Sequence, residues 1–270
     1  MFNLDLVQSH ACPQPLHRST VFRDLIVTHS QMPLTVCFQD DALVVVDKPC
    51  GMLVHRSGID ARETTFLLQT LRNQLNQSVF PVHRLDKATS GLVIFALSSD
   101  VAKTLSKAFE HGGITKTYEA FVRGHTPQSL HIDHALRDEV DSKGRKIKNG
   151  TEREAMTELR TLTSWTVPEP VDRYPEARYS HVQLQPITGR YRQLRRHAKH
   201  ISHPILGDVR YGKGTHNRFI EEHLGIRRLW LHAKQVAFRH PLTDEAVCIS
   251  SAMPADFRQM TAWLESVSSG

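Results

Sequence analysis

Apolar residues along the chain form several short runs of the length and composition of β-strands. Leu43 to Asp47 is rich in β-branched residues, and Leu92 to Leu97 is almost wholly apolar, which is typical of a buried strand. Further strands are predicted, several of them from alternation of apolar and polar positions, at Lys116 to Arg123, Ala155 to Leu162, His181 to Gln185, and a final hairpin of Gln235 to Phe238 with Ala246 to Ile249.

Helical spacing of apolar residues predicts helices between these strands. They are Thr65 to Leu75, a helix capped by Ser99 or Asp100 and ended by Gly112, a helix that opens at Thr188 and runs to about Ile201, and a C-terminal helix with Pro254 at its first position. Thr64 or Thr65 would cap the first of them.

Residues 1–32 differ from the rest of the chain because they show no sustained periodicity and carry little charge. Pro13 and Pro15 interrupt them. We interpret this segment as a flexible or loosely docked N-terminal extension, or as the product of a start site placed too early. Residues 33–270 are enough for one large domain or two modest ones.

Composition is that of an ordinary globular protein, because 40% of the 270 residues are hydrophobic and 23% are charged. No apolar run approaches the length of a membrane-spanning helix, and the N-terminus lacks the pattern of a signal peptide. The four cysteines are scattered without a Cys-x-x-Cys pair, so we expect reduced thiols in a cytoplasmic protein.

Positive charge is concentrated in one part of the chain. Ten Lys or Arg residues and three acids lie between Thr188 and Trp230, which gives that segment a net charge of +7 and leaves −1 for the remainder. This distribution suits a polyanionic partner, whose counterions are released when its phosphates are neutralised. A solvated basic face explains the charge equally well.

His83 to Ala96 is the segment that we expect to hold the reactive group. It joins a polar turn to the buried strand, and Asp86 lies in that turn between the cations Arg84 and Lys87. No second carboxylate is near Asp86 in sequence. This argues against a carboxylate pair of the glycosidase or aspartic-protease kind, unless a partner distant in sequence joins Asp86.

Thr188 to His197 opens the most basic helix of the chain. Arg192, Arg195, Arg196 and Lys199 recur at i, i+3, i+4 and i+7, so they share one helical face. A helix start preceded by Thr and Gly also offers free backbone N–H groups to an anion. The segment therefore favours contact with phosphate.

Two nearby patterns imitate other kinds of site. Gly207 to Gly214 is one residue short of a P-loop and lacks the Ser or Thr that should follow Lys213, so we reject nucleotide hydrolysis. His197, His200 and His203 are spaced along a helix that turns too far for them to converge, and no acidic or cysteine ligand accompanies them. We therefore predict no metal site.

The segments that begin at His83 and at Thr188 together resemble motifs of the RluA-type pseudouridine synthases, which isomerise uridine in RNA. His-Arg-Leu-Asp-x-x-Thr-Ser-Gly from His83 matches the catalytic motif, and Thr-Gly-Arg-x-x-Gln-Leu-Arg-x-His from Thr188 matches the second. With weaker matches at Asp47 to His55 and Leu229 to Ala233, the resemblance covers about 34–253. It implies an α+β fold, with a mixed, largely antiparallel sheet flanked by helices in one catalytic domain over residues 33–270.

The resemblance also implies roles for single residues. Asp86 would be the catalytic aspartate, Tyr118 would pack against the target uracil, and Arg195 would pair with Asp86. Such a pair makes chemical sense, because a close guanidinium keeps an enclosed carboxylate ionised and aims its oxygens. No cofactor and no metal are implied. The residues expected to contact RNA are His83, Arg84, Arg190, Arg192, Gln193, Arg196 and Lys199.

Within the family, the chain most resembles the enzymes that modify uridine 65 of transfer RNA, to which the run from Arg173 to Tyr179 is similar. The implied reaction flips the uridine out of its stack, cleaves the C1′–N1 bond with the help of Asp86 and rejoins the base through C5. We expect a monomer whose partner is transfer RNA, with no membrane and no nucleotide cofactor. A ribosomal-RNA enzyme of the same family and an RNA-binding protein without turnover are the alternatives.

Overall fold

A computed structural model describes residues 33–55, 64–140, 145 and 147–268 of the protein. The strands within these residues are β1 (Thr35–Gln39), β2 (Leu43–Lys48), β3 (Phe80–Pro81), β4 (Ser90–Ala96), β5 (Ile114–Arg123), β6 (Ser129–Asp133), β7 (Leu136–Arg137), β8 (Glu152–Arg153), β9 (Met156–Val167), β10 (Ala177–Pro186), β11 (Leu231–Arg239) and β12 (Ala246–Ser250). The helices are α1 (Leu67–Leu75), α2 (Ser99–Glu110), α3 (Gln193–His200), α4 (Gly214–Leu224) and α5 (Ala255–Val267). The predicted extension at residues 1–32 lies outside the described residues.

Ten strands form one sheet in the order β1-β2-β4-β11-β5-β10-β9-β6, with β3 beside β4 and β12 beside β11. The β4–β11 pair is parallel, and its neighbours β2–β4 and β11–β5 are antiparallel. β7 and β8 form a separate two-stranded ladder. The α+β class with a mixed, largely antiparallel sheet is therefore confirmed.

Side chains of β2 alternate between two apolar clusters on opposite faces of the sheet. Leu43 and Val45 pack in the cluster that contains Leu105 of α2. Val44 and Val46 pack in the cluster that contains Leu71 of α1. Each such fully buried side chain stabilises the fold by about 1.5–3 kcal/mol. Burial on both faces explains why β2 and β4 appear in the sequence as continuous apolar runs.

A third cluster holds the C-terminal half of the sheet and the basic helix. The ring of Phe121 on β5 lies 5.8 Å from that of Trp230 and 5.3 Å from that of Phe257 on α5. Leu194 and Ala198 of α3 pack in the same cluster. This packing fixes α3 against the sheet.

Several predicted boundaries are wrong, for local reasons. The basic helix begins at Gln193 and not at Thr188, because Arg192 has a left-handed backbone with φ of 52°. Ser98, and not Ser99 or Asp100, caps α2 with a side-chain oxygen that accepts the N–H of Val101. No side-chain cap starts α1. The helix α4 was not predicted, and none of the described helices is long and apolar enough to cross a membrane.

Candidate active site

The turn that precedes β4 carries Asp86 to the lip of the sheet. The backbone N–H of Thr89 donates to the carbonyl of Asp86 at 3.0 Å, which closes the turn. Directly beyond it, Gly91 has φ of 110°, and a Cβ there would lie 2.3 Å from the carbonyl oxygen of Ala233. Glycine is therefore required for β4 to approach β11 in parallel. The Asp86 side chain, 22% exposed, remains open to solvent at this edge.

A buried arginine joins Asp86 to a second carboxylate. The Nη1 atom of Arg195 donates to Oδ2 of Asp86 at 2.8 Å. The Nε and Nη2 atoms of the same guanidinium bind both oxygens of Asp208, at 2.6 and 2.9 Å. Bidentate binding fixes the plane of a guanidinium, so Asp208 aims the third donor of Arg195 at Asp86. The structure thus brings together Asp86 and Arg195 as predicted.

Asp208 was not predicted as a site residue. It is buried in the loop between α3 and α4, where the backbone N–H groups of Arg210 and Tyr211 each donate to its Oδ1 at 2.9 Å. Burial alone would raise the pKa of Asp208, but its hydrogen bonds and the charge of Arg195 outweigh burial and lower it. Burial also disfavours the charged form of Arg195. The interactions with Asp208, and next those with Asp86, outweigh burial and raise the pKa of the guanidinium. Both groups therefore stay charged at neutral pH.

Arg192 approaches the same carboxylate from the start of α3. Its Nε lies 3.8 Å from Oδ2 of Asp86 and is buried without a hydrogen-bond partner among the described residues. Its guanidinium lies over the Tyr191 ring, 4.7 Å from the centroid. The left-handed backbone of Arg192 is what turns this side chain towards Asp86 rather than along the helix face with Arg196.

A cavity of about 500 Å³ opens beside Asp86. This volume suits one nucleoside-sized ligand, because small-molecule sites range from roughly 300 to 1,000 Å³. The side chains that line it come from the turn before β4, the end of α2, β5 and the loop that leads into α3: among them are His83, Arg84, Asp86, Phe109, Lys116, Tyr118, Arg190, Arg192 and Arg195.

Tyr118 lies on β5 and contributes an aromatic ring to the cavity wall. Burial, followed by the charge of Asp86, raises the pKa of Tyr118. Its hydroxyl is therefore protonated at neutral pH. In this state the side chain can pack against a base and donate a hydrogen bond, but it cannot act as a free phenolate.

His83 lines the cavity, and its ring is hydrogen-bonded to the backbone of β4. Its Nε2 accepts the backbone N–H of Ile94 at 3.0 Å, and its ring stacks on Phe109 with centroids 4.5 Å apart. Burial, and then the charge of Lys116, lower the pKa of His83 to about 3. The imidazole is thus neutral and occupied by the backbone. Contact of His83 with RNA stays a prediction.

Gln193 is held by hydrogen bonds within the protein. It is buried, its Oε1 accepts from the hydroxyl of Thr188 at 2.7 Å and the N–H of Arg190 at 3.0 Å, and its Nε2 donates to Met156 and Thr157 on β9. Every polar atom of the amide is used inside the protein. Gln193 therefore braces the loop that leads into α3. It also lines the cavity, and its direct contact with RNA stays a prediction.

The remaining predicted cations divide between the cavity and the surface around it. Arg84 and Arg190 line the cavity, although Nε of Arg190 is held by the carbonyl of Glu154 at 2.9 Å. Arg196 lies outside it, where its guanidinium donates to the carbonyl of Arg137 at 2.9 Å. Lys199 is exposed near the end of α3. The predicted shared face is thus split, with only part of it at Asp86.

Lys48, for which the sequence predicts no catalytic role, lies beneath the turn that carries Asp86. It is fully buried, and its ammonium donates to the carbonyls of Pro49, Met52 and Lys87 at 2.9, 2.8 and 3.2 Å. Burial lowers the pKa of Lys48 to about 8. Since Lys87 follows Asp86, Lys48 holds the backbone of the turn that carries Asp86. No group of His, Cys, Asp or Glu side chains in the described part of the chain could hold a metal ion.

Comparison with known proteins agrees with this geometry. The RNA pseudouridylate synthase family model matches residues 42–200, which include Asp86, Tyr118 and Arg195. A protein of Pasteurella multocida named tRNA pseudouridine synthase C is 45% identical over 224 residues, which are 82% of this chain and 92% of that protein. The chain belongs to the RNA pseudouridylate synthase family.

Other members of this pseudouridylate synthase family extend the match. The tRNA pseudouridine synthase C of Haemophilus influenzae is 44% identical over 229 residues, 84% of this chain and 96% of that protein. Among solved structures, human RNA pseudouridylate synthase domain containing 4 superposes with a TM-score of 0.65 at 24% identity, covering 86% of this chain and 93% of that one. The human structure shows that the fold is shared.

Proposed function

We propose that the protein isomerises uridine 65 of transfer RNA to pseudouridine, with Asp86 as its catalytic carboxylate. The observation that carries this proposal is the buried Asp208–Arg195 pair, which aims a guanidinium at Asp86 beside a nucleoside-sized cavity. The names of the bacterial relatives, at 41–45% identity, support transfer RNA as the substrate. Position 65 rests on the sequence resemblance.

The proposed reaction begins with extrusion of the uridine, at an unstacking cost of about a few kcal/mol. The base would enter the cavity against Tyr118, since aromatic stacking is how RNA-binding pockets hold an unstacked base. Arg84, exposed at the rim, would fill the vacated place or bind a phosphate.

Asp86 would then assist cleavage of the C1′–N1 bond, either by attack on the sugar or the base or by abstraction of the C2′ proton. After the uracil has rotated and rejoined through C5, the C5 proton must leave. Because the Tyr118 hydroxyl is protonated, it could accept this proton only if it released its own proton to a base. Asp86 is the carboxylate whose charge, after burial, raises the pKa of Tyr118. Asp86 is therefore the proposed final acceptor.

Three wider features are proposals of the same kind. Residues 33–270 would form the catalytic domain, with residues 1–32 as an N-terminal extension. The protein would act as a monomer without a cofactor. The cytoplasm is the proposed compartment, which the described cysteines Cys37, Cys50 and Cys248 support because they are free thiols.

The test incubates wild-type protein and an Asp86→Ala variant with unmodified bulk transfer RNA and, separately, with unmodified ribosomal RNA. Pseudouridine is then mapped by primer extension after carbodiimide treatment. We expect a new stop in the T-arm of transfer RNA with wild type alone. A stop only in ribosomal RNA would show that ribosomal RNA, and not transfer RNA, is the substrate. RNA bound by both proteins without any stop would favour a binding protein without turnover.

A further inference from the structure

Lys116 is a cation of the cavity wall that has no anionic partner among the described residues. Lys116 enters no ion pair and no hydrogen bond among the described residues, although Arg192 and Arg195 beside it in the wall both approach Asp86. Its recorded contact is a cation–π interaction, with Nζ 5.8 Å from the centroid of the Phe109 ring. A half-buried ammonium held only by an aromatic ring lacks most of the hydrogen bonds it would make in water.

The ammonium of Lys116 lies beside the loop that leads into α3. A Cβ placed on Gly189, in that loop, would have a single heavy atom of the described residues within 4 Å, which is Nζ of Lys116 at 4.0 Å. Lys116 and Gly189 are therefore neighbours in the wall of the cavity. An acceptor that enters the cavity at this point would supply the missing hydrogen bonds.

Charge favours an anion as that acceptor. Burial lowers the pKa of Lys116, and no described carboxylate counteracts this effect. The lysine therefore bears a desolvation cost in the free protein that an anionic ligand would offset. Glu110 lines the same cavity but is exposed and forms no ion pair with Lys116. A neutral uracil carbonyl could accept a hydrogen bond but would bring no charge.

Position along β5 relates the ammonium to the reacting base. Lys116 and Tyr118 are two residues apart on the strand, so their side chains share one face with origins about 7 Å apart. A base held against Tyr118 places its own backbone within reach of a long side chain that starts at this distance. The phosphodiester of that backbone is the anion that the substrate necessarily carries.

We propose that Lys116 binds a backbone phosphate adjacent to the flipped uridine and so positions the nucleotide over Asp86. This inference rests on the proposed function, because it requires a uridine to enter the cavity. It gives the cavity two distinct sides: Asp86 with its arginines acts on the nucleoside, and Lys116 holds the strand.

The test compares Lys116→Met with Lys116→Arg and a matched Glu110→Gln control. RNA binding is measured in an Asp86→Ala background, so that substrate is not consumed, as a function of salt concentration. We expect Lys116→Met to weaken binding roughly 10-fold and to flatten the salt dependence by roughly 0.7–0.9 in log Kd per log salt, the effect of one phosphate contact. Lys116→Arg should restore both, and Glu110→Gln should not weaken binding.

Turnover and RNA chemistry separate the possible outcomes. In the Asp86-containing enzyme, Lys116→Met should raise KM and leave the single-turnover rate at saturation within about 3-fold. A T-arm stem-loop with one neutral methylphosphonate beside the target uridine should bind wild type as weakly as it binds Lys116→Met. Because the substitution removes a desolvated charge, thermal stability should not fall, and this controls for misfolding.

Three results would overturn the proposal. One is an unchanged salt dependence in Lys116→Met, and another is a methylphosphonate effect that persists undiminished in that variant. The third is a fall in the saturated rate at unchanged KM, which would place the ammonium on the base. If wild type produces no pseudouridine in any RNA, the proposed function fails instead, and the salt dependence of binding still decides whether Lys116 contacts phosphate.

Discussion

Two buried cations hold the turn that carries Asp86, and they do so in different ways. Arg195 acts on the side chain, since it donates to the Asp86 carboxylate while Asp208 fixes its plane. Lys48 acts on the backbone, since it donates to three carbonyls, one of them on Lys87. One cation therefore sets the direction of the Asp86 carboxylate, and the other sets the position of the backbone that bears it.

Their electrostatic states differ as well. Arg195 has two carboxylate partners, which raise its pKa despite burial. Lys48 donates its hydrogen bonds to carbonyls, and burial lowers its pKa to about 8 although the charge of Asp86 acts in the other direction. Ionic partners make a buried charge permanent, whereas dipolar partners leave it close to neutralisation. Removing each cation should therefore have distinct consequences for activity, stability and their dependence on pH.

The largest effect is expected for Arg195→Met. The variant leaves Asp208 buried without its ionic partner, which should cost about 3–5 kcal/mol of unfolding free energy. It also releases Asp86 from its aimed position, so the single-turnover rate should fall roughly 100- to 1,000-fold while RNA affinity changes little. Rates under saturating protein and denaturant unfolding measure the two parts.

Asp208→Asn is the matched control for that experiment. Its amide oxygen can still accept the N–H groups of Arg210 and Tyr211, but it no longer holds the guanidinium as an ion pair. We expect a loss of roughly 10-fold in rate, smaller than that of Arg195→Met, although Asp208 does not touch Asp86. A variant as active as wild type would show that Arg195 needs no second carboxylate to aim it.

A smaller effect, with a distinctive pH dependence, is expected for Lys48→Met. An unfolded lysine has a pKa of about 10.4, so between pH 8 and 10.4 the unfolded wild type binds more protons than the folded protein. Wild-type stability should therefore gain up to about 1.4 kcal/mol per pH unit from Lys48 as the pH rises through this window. Below pH 8 both states are protonated and this gain disappears.

Lys48→Met lacks the titrating group, so the difference in unfolding free energy between wild type and variant should change with pH only in that window. Groups common to both proteins cancel in the difference. The loss of a donor to the carbonyl of Lys87 should also shift the turn and lower the rate roughly 10-fold at pH 7.5. If the difference in unfolding free energy between wild type and Lys48→Met stays constant from pH 7 to 10, the pKa of Lys48 is not lowered in the folded protein.

The same two cations show how far the sequence predicts this molecule. Apolar runs located β2 and β4 because burial on both faces of a central strand leaves a continuous signal. Resemblance predicted that Arg195 would pair with Asp86, which the structure confirms geometrically. The burial of Asp208 and Lys48 and the contacts that they make were not predicted, since nothing local in a sequence shows that a charged side chain will be buried or which distant groups it will meet.

The basic helix shows the opposite error. Helical spacing predicted one cationic face, but the left-handed Arg192 delays the start of α3 and turns that side chain inwards. Gln193, predicted to contact RNA, is buried, where it accepts the backbone N–H of Arg190 and donates to the carbonyl of Met156. Spacing along an ideal helix cannot anticipate a non-helical residue at its first position, so the predicted face was only partly right.

The smallest expected effect distinguishes the cavity from the surface around it. Arg84 and Lys199 are both exposed, but Arg84 lines the cavity and Lys199 lies beyond it near the end of α3. We expect Arg84→Gln to weaken RNA binding roughly 5-fold, and Lys199→Gln to weaken it no more than about 2-fold, because a phosphate contact at the periphery is screened by salt. Fluorescence anisotropy with one RNA at two salt concentrations compares them. Equal losses would extend the RNA interface along α3, so that charge outside the cavity, and not only the contacts around Asp86, would hold the substrate.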